Sequence, residues 1–351
     1  MTVSHPNGVL PAVRQLDFVC PSCRGELSVA SDAYRCDSCA RDYPVLLGIP
    51  DFRLFPDPYL AFEDDAAKAE MVASLLDSHT LETLLERYWS VSDVTPPELR
   101  KLYIRSAMLS ERRSEGFLNR LPANGNGSLL DVGSGTGGLL LAAARRGFQV
   151  AGVDIAMRWL QVSRRRFMDA GKEPPALVCA CAESLPFRDE AFDRVTSIST
   201  LEFASEAESQ IAEAARILKS DGAHLVSTVN RHSLAADPYA YLRFVGFLPR
   251  RWQAQYVGWR RSTQWRIREL SLSELDGLAR RSFRMRDYYL PDVDELALAA
   301  FPASTRMQVR LYRKAKALPV FGSLLKRFGP GWEAVLRDKI AKRGRDGGSA
   351  A

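Results

Sequence analysis

Six consecutive residues, Gly133-Ser134-Gly135-Thr136-Gly137-Gly138, restrict the fold of this chain more than any other stretch. A short apolar strand, Ser128-Leu129-Leu130-Asp131-Val132, runs into them. Residues 139–146 follow and read as a helix, closed by Gly147 with Arg145 and Arg146 in its last turn. Residues 148–153 make a second apolar strand that ends at Asp154. Strand, glycine turn, helix, strand and acid is the order of a nucleotide-binding βαβ unit.

The glycine run fits two templates, the dinucleotide fingerprint G-x-G-x-x-G and the acid-x-G-x-G-x-G turn that binds S-adenosylmethionine. Electrostatics separates them. A dinucleotide sets its pyrophosphate against this turn and the helix N-terminus. Asp131, two residues before the first glycine, would repel that dianion. S-adenosylmethionine brings an ammonium and a sulfonium instead, which Asp131 attracts directly or through water. Asp154 suits either ligand, since a carboxylate accepts from both ribose hydroxyls, each charged hydrogen bond contributing ~1.5–3 kcal/mol.

The order downstream favours the second template. Residues 176–180 form a third strand, then Cys181-Ala182-Glu183-Ser184-Leu185-Pro186-Phe187, then a fourth strand that begins Phe192-Asp193-Arg194-Val195 and exits through Ser199-Thr200-Leu201-Glu202-Phe203. Residues 205–219 read as a helix with Ser205 and Glu208 spaced as a capping box, and Asp221-Gly222 as a turn into a fifth strand at 223–229. Over residues 128–230 this resembles the class I S-adenosylmethionine-dependent methyltransferases, in particular the ubiquinone-type group with its D-A-E-x-L-P-F, F-D-x-V and L-E-H pattern. The resemblance implies a seven-stranded Rossmann-like α/β sheet, strands six and seven falling at 285–290 and 332–337. It implies a cofactor site of Asp131, Gly133, Ser134, Gly135, Gly137, Asp154, Ile155, Cys181, Ala182, Glu183 and Ser199. Two residues depart from the pattern. Cys181 stands where an Asp usually accepts from the adenine amino group, so that contact falls to a backbone carbonyl or to Glu183. Phe203 stands where a His is common, which removes one candidate base.

Four of the six cysteines, Cys20, Cys23, Cys36 and Cys39, form two C-x-x-C pairs separated by twelve residues. Each pair sets two thiolates on one tight turn, and two facing turns complete a tetrahedron for structural Zn²⁺. Redox dithiols are the alternative. A unit of about fifty residues buries little core by itself, and zinc can supply ~10–16 kcal/mol of folding energy in such peptides. Residues 16–54 resemble the small zinc-ribbon family that serves as an activator subunit for some tRNA, rRNA and protein methyltransferases. Cys179 reads as a buried small hydrophobe.

These elements divide the 351 residues into a ribbon at 1–54, a helical connector at 55–125 and a methyltransferase domain at 126–351. Connector helices are expected at 61–76, at 80–88 and from Pro96-Pro97 onward, ended by the breaker at 121–127. Tyr88-Trp89 reads as helix packing or as a cofactor cover. The domain carries a cap insertion at 230–270, rich in Arg and aromatics, and a second insertion at 291–330. Ligands bind beyond the carboxyl ends of such strands, where the cap begins. His232, Asp237 and Tyr239 are the candidate catalytic residues on this placement. His224 reads as a core histidine, and Glu202 as a substrate contact or a helix cap.

With 46% apolar and 26% charged residues the chain can bury a core. No apolar run reaches the ~18–20 residues that cross a bilayer. The first residues lack the basic and apolar regions of a signal peptide, so a cytoplasmic protein is expected. The net charge of +6 concentrates at residues 306–346, where twelve Lys/Arg face three acids. Three acceptor classes compete. A small molecule, phosphate-bearing or lipid-linked, suits the aromatic cap. RNA suits the interleaved runs Arg250-Arg251-Trp252, Trp259-Arg260-Arg261 and Trp265-Arg266, and a ribbon fused to this fold resembles the bacterial rRNA guanine-N1 methyltransferases. A S-adenosylmethionine-binding scaffold without activity is the third. The basic amphipathic tail also suits peripheral contact with a membrane. The acceptor atom and oligomeric state are open at this point.

Overall fold

The computed structural model describes residues 8–91, 95, 97–121, 127–292, 295, 298 and 303–340. Pro96, most of the breaker with the 125/126 boundary, parts of the second insertion and the tail from 341 lie outside the described residues.

Two sheets organise the chain. The first is antiparallel, in the order β1 (Leu27–Val29), β2 (Ala33–Cys36), β3 (Asp42–Leu46), β4 (Ile49–Pro50). The second contains β5 (Ser128–Val132), β6 (Gln149–Asp154), β7 (Ala176–Cys179), β8 (Phe192–Ile198), β9 (Leu218–Val229), β10 (Phe283–Tyr289) and β11 (Gly331–Lys339). Its spatial order is β10-β11-β9-β8-β5-β6-β7. The five strands from β9 to β7 are parallel, while β11 runs antiparallel between β9 and β10. β5 and β7 are almost wholly buried, as parallel strands covered on both faces must be. The seven-stranded sheet expected from the sequence is therefore present, with the last two strands slightly longer than expected.

The connector forms α1 (Phe62–Ser74), α2 (Leu81–Ser90), α3 (Pro97–Met108) and α4 (Ser110–Leu118). α1 and α2 lie against α6 (Met157–Asp169), and α4 lies against α5 (Gly138–Arg145). Thr80 and Thr83 cap α2 reciprocally, Thr80 N donating to Thr83 Oγ1 at 3.0 Å. Beyond β8 come α7 (Ala207–Ile217), the cap helix α8 (Arg250–Arg261) and α9 (Leu272–Ala279).

Two local expectations change. The Ser205/Glu208 capping box does not form, because Ser205 N donates instead to Glu183 Oε1 at 2.7 Å and α7 starts at Ala207. Glu183 thus pins the chain after β8 to the loop after β7. The Asp221-Gly222 turn is a bulge within β9: Leu218 pairs with Phe192, and Ala223 with Arg194. Gly222 is needed there, since a Cβ would stand 2.9 Å from Asp193 O.

The ribbon does not rely on its own small core. Val13, Phe18, Tyr34, Tyr43 and Phe52 belong to one buried cluster with Leu130, Val178, Leu185 and Phe187. Residues 51–52 add to the free edge of β7, with Asp51 bridged to Cys179 and Phe52 N donating to Cys179 O at 2.7 Å. The chain leaving the ribbon carries Arg53, whose guanidinium is buried. It bonds Asp51 (2.6 and 2.9 Å), Asp65 Oδ2 on α1 (2.8 Å) and Ile155 O (3.1 Å). Asp65 Oδ1 also takes Arg158 Nη1 at 2.5 Å, and Asp65 Oδ2 accepts from Met157 N at 2.9 Å. Removing one member of such a buried set strands the opposite charges, at a cost of about 3–5 kcal/mol. Asp65→Ala is expected to lower the unfolding free energy by that amount, read as a lower urea midpoint at unchanged slope. Exposed Asp64→Ala on the same turn should stay within about 1 kcal/mol. Equal midpoints for the two variants would contradict this account.

Candidate functional site

A cavity of about 700 Å³ opens beyond the carboxyl ends of β5, β6, β7 and β8. Its floor is the glycine turn. Gly133 and Gly137 adopt φ of +77° and +75°, a conformation that other residues rarely hold. Space forbids side chains there as well: a Cβ on Gly133 would stand 1.8 Å from Thr200 Cγ2, and one on Gly137 would stand 2.1 Å from Ser163 Oγ. Gly133 N and Ser134 N both donate to Val153 O, at 2.7 and 2.9 Å, which ties the turn to β6.

Two carboxylates end the strands beside this turn. Asp154 Oδ2 accepts from Gly135 N at 2.8 Å and Oδ1 from Ala156 N at 2.9 Å. Its carboxyl lines the cavity, and burial pushes it up to about 6 against those two amide bonds. Asp131 lies just beneath, with Thr196 Oγ1 donating to Oδ1 at 2.7 Å. Burial pushes its carboxyl up to about 7, with the Asp154 charge adding to the rise and the Thr196 bond opposing it. No Lys or Arg among the described residues forms an ion pair with Asp131. A buried acid without a paired cation, beneath the glycine turn, fits a ligand that brings positive charge.

The other expected cofactor residues separate into two sets. Ile155, Ala182, Glu183 and Ser199 line the cavity with Gly133, Gly135 and Asp154. Asp131, Ser134, Gly137 and Cys181 support it from behind. Cys181 Sγ accepts from Leu54 N at 3.3 Å and lies 3.7 Å from Phe55 O. Its buried thiol, pushed up to about 11 by desolvation, holds the chain that leaves the ribbon. The residue at the departure from the family pattern thus faces the N-terminal segment.

The opposite walls come from the connector and the cap. Tyr88 and Trp89 pack edge to face (4.9 Å between centroids) and surround Trp159, at 4.9 and 5.5 Å, so this pair is helix packing and cavity wall together. Tyr59, Tyr103, Phe203, Tyr239 and Trp265 close the cap side. Phe203 packs edge to face on Tyr239 at 5.0 Å. Tyr103 Oη donates to Tyr239 O at 2.9 Å and joins connector to cap.

Of the three candidate catalytic residues, Tyr239 alone lines the cavity. Its hydroxyl donates to Glu202 Oε1 at 2.5 Å, and Thr228 Oγ1 donates to Glu202 Oε2 at 3.0 Å. Glu202 is fully buried and its carboxyl is raised by desolvation. Asp237 holds the loop instead: Oδ1 accepts from Tyr239 N (2.9 Å) and Ala240 N (2.6 Å). Burial first, and then the charge of the adjacent Asp237, push the Glu269 carboxyl well above the usual carboxylate range. His232 stands outside the lining, packed against Phe247 at 5.5 Å. His224 is a core residue, bonded to Ser197 Oγ at 3.0 Å and held neutral by burial, which lowers it to about 3.

Sequence reasoning missed the wall formed by residues 55–60, where Phe55, Asp57 and Tyr59 line the cavity. It also missed Arg158, which lines the same space and bonds Asp57 Oδ2 at 3.1 Å. The only local hint is the D-F-R spacing at 51–53, since charges embedded in an apolar stretch need buried partners.

The ribbon brings Cys20 Sγ to 3.7 Å from Cys39 Sγ and Cys23 Sγ to 3.4 Å from Cys36 Sγ, all four lying within 4.8 Å of one another. Each C-x-x-C turn is followed by a residue at positive φ, Arg24 at 67° and Ala40 at 54°.

Comparison with known proteins agrees with this geometry. Residues 130–226 match the family described as Methyltransferase domain. Demethylmenaquinone methyltransferase of Tropheryma whipplei (strain Twist) is 30% identical over 167 residues, which cover 44% of this chain and 68% of that protein. Ubiquinone biosynthesis O-methyltransferase of Salmonella paratyphi A is 29% identical over 151 residues, covering 43% and 59%. Among solved structures, a complex of the Haloferax volcanii Trm112 methyltransferase activator with a methyltransferase is 18% identical, covers 70% of this chain and 98% of that one, and has a TM-score of 0.44. The strand order, the glycine turn, the family match and the Tropheryma whipplei relative place the chain in the S-adenosylmethionine-dependent methyltransferases of class I, to which it belongs.

Proposed function

We propose that this methyltransferase acts on a small, flat, largely apolar acceptor held between the glycine turn and the cap. The observation that carries this is the continuity of one cavity from Gly133 and Asp154 to the rings of Tyr59, Phe203, Tyr239 and Trp265. Small-ligand sites are mostly apolar with a few polar anchors, and this chamber has that character. The names of the relatives refer to quinone-type acceptors, which are ring compounds of this kind.

The residues assigned to the cofactor are Gly133, Gly135, Asp154, Ile155, Ala182, Glu183 and Ser199 on the cavity surface, with Asp131, Ser134, Gly137 and Cys181 behind them. Bound S-adenosylmethionine supplies an electrophilic methyl group on an activated leaving group. What remains for the protein is alignment, which can contribute ~7–11 kcal/mol, and removal of a proton where the acceptor carries one. Tyr239 and Glu202 serve the second task. The acceptor proton passes to Tyr239 Oη while the tyrosine proton moves to Glu202 Oε1, whose raised affinity for protons favours the transfer.

The RNA reading gains no support from these relatives. The interleaved Arg and Trp residues also fail to form one face. Trp265 is buried inside the cap, and Arg261 donates to Ala240 O and Tyr241 O, whereas Trp252 and Trp259 point outward.

The four thiols are assigned to structural zinc. Their 3.4 and 3.7 Å separations approach the edge of a tetrahedron with Zn–S bonds of about 2.3 Å. Tyr43 Oη lies 3.1 Å from Cys20 Sγ, and Cys39 N donates to Cys36 Sγ at 3.4 Å, contacts that orient thiolate ligands.

Calorimetry with S-adenosylmethionine tests the cofactor assignment through its pH dependence. A cationic ligand favours ionised Asp131, so affinity is full above about pH 7 and falls by up to tenfold per unit below it. Asp131→Asn should weaken binding more than tenfold and flatten the profile. Equal affinity at about pH 5 and pH 8 would argue against the assignment. Glu202→Gln is expected to lower kcat by ~10²–10⁴-fold on a proton-bearing acceptor while leaving cofactor affinity intact. An unchanged kcat would remove Glu202 from the mechanism. Elemental analysis should find a single zinc per chain, lost in Cys36→Ser; a metal-free wild-type protein would refute the zinc assignment.

A further inference from the structure

No described residue of the second insertion lines the cavity, yet the insertion builds a defined hairpin between β10 and β11. α10 (Ala303–Ala317) packs against α11 (Pro319–Phe328). The hairpin is fixed to the body at its base: Tyr312 Oη donates to Pro291 O at 2.8 Å, and Arg313 and Lys316 pair with Asp292. Asn230 Nδ2 donates to Arg327 O and Gly329 O, at 3.0 and 2.9 Å.

None of the ten residues of α11 is buried. Val320 is 72% exposed, Phe321 53% and Leu324 49%, while Met307 and Leu311 on α10 reach 62% and 59%. Positions 307 and 311 are one turn apart, as are 320 and 324, so each helix holds an outward apolar stripe. Around the stripes the charge has one sign: residues 303–328 contain seven Lys/Arg and no Asp or Glu.

We propose that this hairpin seats the protein on an anionic lipid surface. Nucleic acid would take the cations but leave the apolar stripes in water. A protein groove would cover the stripes but would also have to supply acids for Lys326 and Arg327 beside them. An anionic bilayer interface answers both features, with phosphates for Lys and Arg and the acyl boundary for Phe321 and its neighbours. No helix among the described residues is long and apolar enough to cross a membrane, so the hairpin lies in the interface plane.

The placement has a consequence for the site. Leu234 N donates to Phe328 O at 3.1 Å, and the loop from Leu234 onward exposes Phe244 and Phe247 before turning into the cap. This loop also carries Tyr239. Docking through α11 therefore brings the wall of the acceptor chamber to the lipid boundary, a position that suits an acceptor dissolved in the membrane. The docking inference stands on the exposed stripes and the charge, independently of which acceptor the chamber takes.

Sedimentation of the full chain with vesicles tests it, using phosphatidylcholine alone and phosphatidylcholine mixed with phosphatidylglycerol. Binding to the anionic vesicles that weakens with salt is expected. Phe321→Glu combined with Leu324→Glu should reduce partitioning at least roughly tenfold, and Lys326→Gln or Arg327→Gln roughly fivefold each. Affinity for S-adenosylmethionine should be unchanged in every variant, which shows that the fold is intact and keeps a failure here separate from a failure of the cofactor reading. Protein wholly in the supernatant would overturn the proposal, as would anionic-vesicle binding that survives Phe321→Glu with Leu324→Glu. Salt-sensitive binding to a short RNA without vesicle binding would overturn it in favour of nucleic acid. A dimer that buries Phe321 and excludes vesicles would overturn it in favour of a second copy of the chain.

Discussion

Asp65 holds together three parts of the chain that are far apart in sequence. Its fully buried carboxylate takes a guanidinium nitrogen from Arg53 at the ribbon exit, another from Arg158 on α6, and the Met157 amide at the start of that helix. Isolated ions in such a place cost several kcal/mol each, so none of these groups is tolerated until the others arrive. Ribbon, connector and nucleotide-binding unit therefore order together. The lattice also reaches the site: Arg53 donates to Ile155 O, one residue past Asp154, and Arg158 bonds Asp57 on the cavity wall.

The ribbon gains from the same arrangement. A parallel sheet that ends at β7 offers unpaired backbone groups, a standing invitation to aggregation. Residues 51–52 occupy that edge, and Phe18 and Phe187 pair across the junction at 5.8 Å. The presence of Cys rather than Asp at position 181 has a physical reason here. An acid would carry a charge into a pocket where Leu54 N and Phe55 O already meet the side chain, whereas a thiol can accept from one and lie against the other.

Much of this was legible beforehand because it depends on local chemistry. Glycines at positive φ between an apolar strand and a helix announce the turn, and paired C-x-x-C spacing announces the ribbon. The alternating burial of the connector helices is written in their three- and four-residue periodicity. What escaped depends on contacts between distant segments. Phe55, Asp57 and Tyr59 carry no motif, and they become a wall only because Cys181 and Asp65 hold the strand that precedes them. His232 looked as well placed as Tyr239 by chain position. A bend stabilised by Asp237 turns Tyr239 inward and leaves His232 against Phe247. The Ser205 cap failed for a similar reason, since Glu183, twenty-two residues earlier, took the amide first.

The two halves of the cavity differ in how they are built. The half beside the glycine turn is made of strand ends whose positions follow from the sheet. The other half is assembled from residues 55–60, α3 and the cap, additions to the sheet. Asp57, Arg158 and Gln264 reach its surface between the rings, while Glu202 lies behind Tyr239, whose hydroxyl donates to it. This half of the cavity therefore combines the ring faces of Tyr59, Tyr103, Phe203, Tyr239 and Trp265 with a few charged groups at its wall. Changes in Tyr59, Phe203 or Trp265 would then reshape the cap half of the cavity while Asp131 and Asp154 stay in place, because the groups that fix those two carboxylates are Thr196 Oγ1 in the sheet and the amides of Gly135 in the glycine turn and Ala156 at the N-cap of α6.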